Sequence, residues 1–264
     1  MPIELGVLSF LFVASASLAR SSSRSAQVSS SFLVSVLVVM GSYGLGGYFG
    51  LDSLPFVLSI VWASAVLITS AQCAGRGPLE LYLIALVAAS SLCLLQASSL
   101  FWLVFSFELM TVSALILLRL SSKYDRGFEA LVEMYLWAMI GSFSLIFSVV
   151  IAGDVNLAQS STLSPIALAL GLFGFMVKVP LWPFSSWLLK AHVEASTEFS
   201  IYLSGFLVKF GVIGLFKLIA NAGQGPNAAM LSLGLLGSID ATLRLIAQID
   251  LKRIIAALTI VETN

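Results

Sequence analysis

Charge is scarce in this chain. Only 10% of its 264 residues are Asp, Glu, Lys or Arg, and 13 basic residues balance 13 acidic ones to a formal net charge of zero. That leaves no basic surface for nucleic acid. Histidine occurs once, at His192, so no bis-histidine haem site can be built. Cysteine occurs twice, at Cys73 and Cys93. Two cysteines make no disulfide framework, and neither a CxxC nor a Cys/His metal spacing is present, so both are read as thiols and no metal is expected. The glycine-rich stretch GLGGYFG at 44–50 lacks the strand–helix context of a dinucleotide site. No cleavable signal stands out: the first apolar run, Leu5 to Leu18, is followed rather than preceded by Arg20 and Arg24. No nucleophile–base arrangement is visible.

What the chain has in abundance is apolar surface. It is 59% hydrophobic, with a mean hydropathy of +1.05. This composition specifies an all-α polytopic membrane protein, with room for roughly nine or ten spans at about 20 residues each. Spans are predicted near 2–19, 28–49, 52–72, 79–96, 98–119, 130–153, 164–189 (broken), 196–221 and 227–248, with a tenth beginning near Ile254. The basic residues check this count. Arg20 and Arg24, then Arg76, then Arg119, Lys123 and Arg126, then Lys190, then Lys252 and Arg253 all fall at odd-numbered connections. The even-numbered connections carry no Lys or Arg. The positive-inside rule then puts the N-terminus on the side opposite the basic loops.

The most informative stretch runs from Phe173 to Lys217. Lys178, Lys209 and Lys217 lie among residues that otherwise belong in lipid, and Pro180 and Pro183 interrupt the apolar run. A lysine at a bilayer centre costs about 2.5–3.5 kcal/mol on insertion scales. Each proline removes an amide donor and breaks the helical ladder. Broken backbone at membrane depth survives only inside protein or beside a wet cavity. Together these features predict an ion or proton path. Glu108, mid-span in SLFWLVFSFELMTVSALILL, is its candidate carboxylate, either a proton-accepting site partnered by a lysine or a structural ion pair. Lys178 is either an ammonium in a partly hydrated cavity or a lysine snorkelling to an interface. Lys209 is flanked by Gly205, Gly211 and Gly214, which permit close helix approach. Lys217, nearer its helix end, is a secondary candidate with a stronger claim to snorkelling. His192 either relays protons or hydrogen-bonds a loop. Asp240 and Arg244, spaced i, i+4, most simply neutralise each other. Glu133 reads as interfacial.

At this point the residues resemble a family. FMVKVPLWPFSSWLLKAHVEA resembles the broken seventh helix of NADH dehydrogenase subunit 4, the antiporter-like proton-pumping subunit of respiratory complex I. FGLDSLPFVLSI, FSFELM and IAQIDLKRIIA agree with it in order and spacing. The resemblance implies an antiporter-like fold of fourteen helices with two inverted five-helix repeats, each containing a broken helix. On that basis residues 1–78 hold helices one to three, 79–221 the first repeat and 222–264 the start of the second. It further implies that Glu108 pairs with Lys178 and that Lys209 passes charge along a central hydrophilic axis. His192 matches the family's histidine after the broken helix. Departures are Ser185 for a histidine, Ser196 for a proline, and Glu262 at a histidine position.

The resemblance implies a membrane-arm subunit of proton-translocating NADH:ubiquinone oxidoreductase. NADH, flavin, iron–sulfur clusters and ubiquinone are expected on other subunits. The expected partners are antiporter-like neighbours related to subunits 2 and 5, lipids, and a second chain carrying the remaining helices, as in a split subunit. The expected location is the mitochondrial inner membrane, with the N-terminus on the intermembrane-space side. The alternatives are a subunit of a multisubunit cation/proton antiporter, or a structural subunit with an inactive channel.

Overall fold

The structure is a computed structural model that describes residues 78–121, 125–153, 155–157, 163–221 and 228–264. The first three predicted spans lie outside the described residues, as do Arg20, Arg24, Arg76, Lys123 and Cys73. The chain divides into two compact units, 1–96 and 97–264. In the first, helix α1 (Pro78–Gln96) is apolar. The hydroxyls of Ser90 and Ser91 donate back to the carbonyls of Val87 and Ala88.

The second unit contains α2 (Leu100–Ser121), α3 (Asp125–Ala152), α4 (Pro165–Lys178), α5 (Ser186–Glu194) and α6 (Thr197–Tyr202). A π-helical turn, Leu203–Val208, then leads into α7 (Lys209–Asn221), followed by α8 (Ala228–Ile246) and α9 (Leu251–Thr263). Among the described residues there is no strand, only an isolated bridge between Ser99 and Asn156 that ties the start of α2 to the segment after α3. Among the described residues, three stretches are long and apolar enough to cross a membrane: Leu100–Leu120, Gly127–Ala152 and Phe199–Ala220. Their apolar character runs all round. On α2, Leu100, Leu103, Phe107, Met110 and Leu118 are buried, while Phe101, Phe105, Val112 and Ile116 are exposed and equally apolar. A helix of that kind belongs in lipid.

Helix ends follow local chemistry. The Ser164 side chain accepts from the Ala167 amide and Pro165 occupies the first helical turn, which starts α4. Ser196 caps α6 by accepting from the Phe199 amide, and Asp250 caps α9 by accepting from the Lys252 amide. Gly153 takes a φ of 70° to end α3, a conformation that glycine adopts without steric penalty.

Helices α3 and α4 form the most extensive pairing. Their seam is made of small and hydroxylic residues. Ser144 donates to the Leu170 carbonyl (2.7 Å) and Ser148 to the Ala167 carbonyl (2.6 Å). Without a hydrophobic drive between helices in lipid, close backbone approach and such bonds hold them together. A methyl group at Gly174 would fall 2.7 Å from Leu145 Cγ and 2.9 Å from the Gly141 carbonyl oxygen. Gly174→Val is therefore expected to force the seam apart and to destabilise the subunit by about 1–3 kcal/mol. Thermal melting of the solubilised membrane protein measures this, and an unchanged melting temperature would contradict the close approach.

Candidate functional site

Helix α4 stops at Lys178, and the chain turns through Val179–Ser185 before α5 begins. Pro180 explains the stop. It has no amide to donate, its ring conflicts with the carbonyl four residues earlier, and it biases the residue before it away from helix. Val179 accordingly sits at φ −87°, ψ 18°. The carbonyls freed at the helix end are not left bare. The Val179 amide donates to Phe175 O (2.7 Å) and the Leu181 amide to Met176 O (3.1 Å). The indole N–H of Trp187, on α5, donates to Val177 O (3.2 Å).

Lys178 is the last residue of α4, where the negative end of the helix dipole favours a cation. Its side chain is only 3% exposed, and its Nζ lies 2.6 Å from Glu108 Oε1 on α2. The ammonium also lies 5.4 Å from the centre of the Phe107 ring. Ser142 Oγ, on α3, sits 2.7 Å from Glu108 Oε2 and 2.8 Å from the Ala138 carbonyl. A hydroxyl has one proton, so Ser142 serves the ionised carboxylate or its own backbone, but not both. Room for the lysine comes from Gly141, where a methyl would come within 2.8 Å of Lys178 Cγ. A small cavity beside the pair is lined by Thr111, Met134, Ala138, Val177, Lys178, Trp187 and Leu207.

The remaining candidates lie elsewhere. Lys209 is the first residue after the π turn and forms an ion pair with Glu262 on α9. Lys217 donates to the Ala97 carbonyl at 3.1 Å. Asp240 and Arg244 form an i, i+4 pair at 2.9 Å on α8. His192 sits within α5 rather than in a loop, because the helix continues to Glu194 past the apolar run. It is buried, and its Nε2 has no hydrogen-bond partner among the described residues. His192 lies outside the three stretches that are long and apolar enough to cross a membrane. Burial, and secondarily the Lys252 ammonium, hold its imidazole down at about 4. It is therefore neutral at neutral pH.

Three residues gain roles that their sequence context did not announce. Glu133 holds Ser186 Oγ at 2.9 Å and Lys190 Nζ at 2.5 Å, joining α3 to α5. It lies inside α3 because that helix starts at Asp125, ahead of the apolar run. Ser142 looked like any other serine. Glu262 stood out as a departure at a family histidine position, with nothing in the sequence to pair it with Lys209.

These helices and their broken, charged centre define a class: an antiporter-like helical membrane subunit. The family profile described as NADH:quinone oxidoreductase/Mrp antiporter, transmembrane region, matches residues 97–262. The chain belongs to that family. It is 34% identical over 182 residues to NADH-ubiquinone oxidoreductase chain 4 of Paramecium tetraurelia, covering 64% of this chain and 38% of that one. Among solved structures, respiratory complex I from Thermus thermophilus with bound aureothin superposes with a TM-score of 0.80 at 19% identity, over 98% of this chain and 62% of that one. The Mrp complex from Dietzia sp. DQ12-45-1b superposes at 0.83 with 18% identity, over 100% of this chain and 58% of that one. The chain thus spans less than half the length of the Paramecium relative.

His192 supplies a test by pH. Its native value is depressed to about 4 from 6.5, so as pH falls through this interval the unfolded state binds a proton that the native state refuses. Its contribution to stability is full above 6.5 and shrinks towards 4. His192→Phe keeps a ring and removes the titration. The acid limb of the stability profile is expected to flatten in that variant, as measured by thermal melting across this pH range. An unaltered limb would mean that His192 does not titrate there.

Proposed function

We propose that this chain works as a membrane-arm subunit of proton-translocating NADH:ubiquinone oxidoreductase, corresponding to subunit 4, and carries a proton half-channel. The observation that carries this function is the Glu108–Lys178 pair at the end of a broken helix. A buried ammonium and carboxylate exchange a proton with small changes of surroundings, since one pK unit is about 1.4 kcal/mol. In this mechanism a distant redox step alters hydration around the pair and the two charges separate. Lys178 then passes its proton towards Lys209. Ser142 stabilises whichever state leaves Glu108 ionised. The redox cofactors belong to other subunits, and His192 is a neutral neighbour available to a relay.

In this proposal the broken helix is the seventh of an antiporter-like repeat, and α8 and α9 begin a second one. Lys209 and Glu262 are 44% and 59% exposed among the described helices. Charges in that position do not face hydrocarbon without penalty. We take them to be covered by further helices, which a second polypeptide can supply. The corresponding site is the mitochondrial inner membrane, with the N-terminus towards the intermembrane space. The likeness to an Mrp complex supports a second function, that of a cation/proton antiporter subunit outside any redox complex.

Lys178→Met removes the charge and keeps the volume. It is expected to abolish proton pumping while leaving the complex assembled on a native gel. Normal pumping in an assembled mutant would sink this function. Co-purification with iron–sulfur subunits separates the two alternatives, since only the redox complex requires it.

A further inference from the structure

The segment between α4 and α5 satisfies most of its amides locally. Those of Val179 and Leu181 go back to the end of α4, and that of Phe184 donates to the Leu181 carbonyl at 2.7 Å. Pro180 and Pro183 have none to offer. The Trp182 amide, just ahead of the second proline, leaves the segment. It donates to Asn264 Oδ1 at 2.8 Å, on a residue 82 positions away.

Asn264 suits this place chemically. The Trp182 amide can only donate and the Ile260 carbonyl can only accept, so a carboxamide meets both, one with each end. Its Nδ2 donates to the Ile260 carbonyl at 2.8 Å. The neighbouring helix reserves the space. A methyl group at Gly234 or Gly237 on α8 would collide with Asn264, and one at Gly237 would also fall 2.9 Å from Trp182 Cβ. The first turn of α9 reaches the other end of the same stretch. There Lys252 donates to the Ala195 carbonyl at 2.7 Å, at the C-cap of α5. Helix α9 thus runs antiparallel to α5, with Ala256 and Ala257 buried, and grips residues 182–195 at both ends.

We propose that Asn264 is a positioning residue for Lys178. By holding the Trp182 amide, four residues beyond the ammonium, it fixes the break where Lys178 meets Glu108. Without that acceptor the break opens more often, and the ammonium loses its fixed register against the carboxylate. With it, the break and the end of α9 shift together or stay in place together. Asn264 itself carries no proton. This proposal rests on the proton-translocating function above.

The test uses the intact complex in its native membranes, with Ser185, which is buried in the break, changed to cysteine (Ser185→Cys). Labelling of that thiol by a water-soluble maleimide, read by mass spectrometry of its peptide, reports opening of the break. Protons translocated per NADH and assembly are measured alongside. Asn264→Leu keeps nearly the same volume and removes both polar ends. Gly237→Ala keeps Asn264 and takes its space. Both are expected to raise the labelling rate roughly three- to tenfold, the weight of one net hydrogen bond in an opening equilibrium, and to lower the ratio of protons to NADH. Thr263→Val removes only bonds within the same turn of α9 and is expected to behave as wild type. An equal loss in Thr263→Val means a general loosening of the helix end and overturns the role of Asn264. Unchanged labelling in Asn264→Leu overturns it as well. Faster labelling with a wild-type proton ratio, when Lys178→Met is inactive, overturns the positioning of Lys178. If Lys178→Met also pumps normally, the proton-translocating function itself fails. Should neither Asn264→Leu nor Gly237→Ala assemble, Asn264→Asp decides, because it keeps an oxygen for the Trp182 amide. Slow labelling in that assembled complex supports the proposal, and fast labelling overturns it.

Discussion

The ion pair between Glu108 and Lys178 sets the terms for the helices around it. An ammonium that is nearly sealed from solvent is tolerable only with a counter-charge in direct contact. Removing one partner of a buried pair typically costs about 3–5 kcal/mol, because it strands the other charge. The pair spans α2 and α4, whose charged residues are 70 positions apart in sequence. Bringing them together requires α3 to pass close by, which Gly141 and Gly174 permit. It also places the lysine at a helix end, where the dipole assists and where Pro180 forbids another turn. Glycine seam, proline break and carboxylate are thus consequences of one requirement.

The break itself is closed rather than frayed. Amides of the turn satisfy two of the carbonyls released at the end of α4, and the Trp187 indole satisfies a third. The Trp182 amide is taken by Asn264, from the far side of the unit. Side chains from α5 and α9 therefore hold a segment whose own sequence cannot. Any movement of the break must carry those contacts with it, or exchange them. That links the geometry around Lys178 to α5 and to the end of α9.

Much of this was legible from residue order. Lys178 followed by Pro180, inside an apolar run, marks a charged helix end without any coordinates. Glu108 stands out because no other acidic residue shares its helix. Partnership was harder. Hydropathy locates membrane depth, not hydrogen-bonded helix length, so α3 begins at Asp125 while its apolar run starts near residue 130. Glu133 looked interfacial, and its bridge to α5 was not visible in the sequence. His192 looked like a loop residue for the same reason. The π turn before Lys209 has no signature in composition, since one extra residue in a uniformly apolar helix leaves the pattern unchanged. Lys209 and Glu262 are 53 positions apart, and only the fold brings them together.

The oxygens that meet the lysines are of two chemical kinds. Lys178, Lys190 and Lys209 contact the carboxylates of Glu108, Glu133 and Glu262. Lys217 and Lys252 donate to the backbone carbonyls of Ala97 and Ala195. A carbonyl stabilises an ammonium but cannot accept its proton, so those contacts fix a charge in place. A carboxylate does both, and offers the proton somewhere to go. Lys190 is largely exposed, where water competes for its charge and weakens the pair. That leaves Lys178, at the end of α4, and Lys209, at the residue after the π turn, as carboxylate-paired lysines placed where a helix departs from regular geometry.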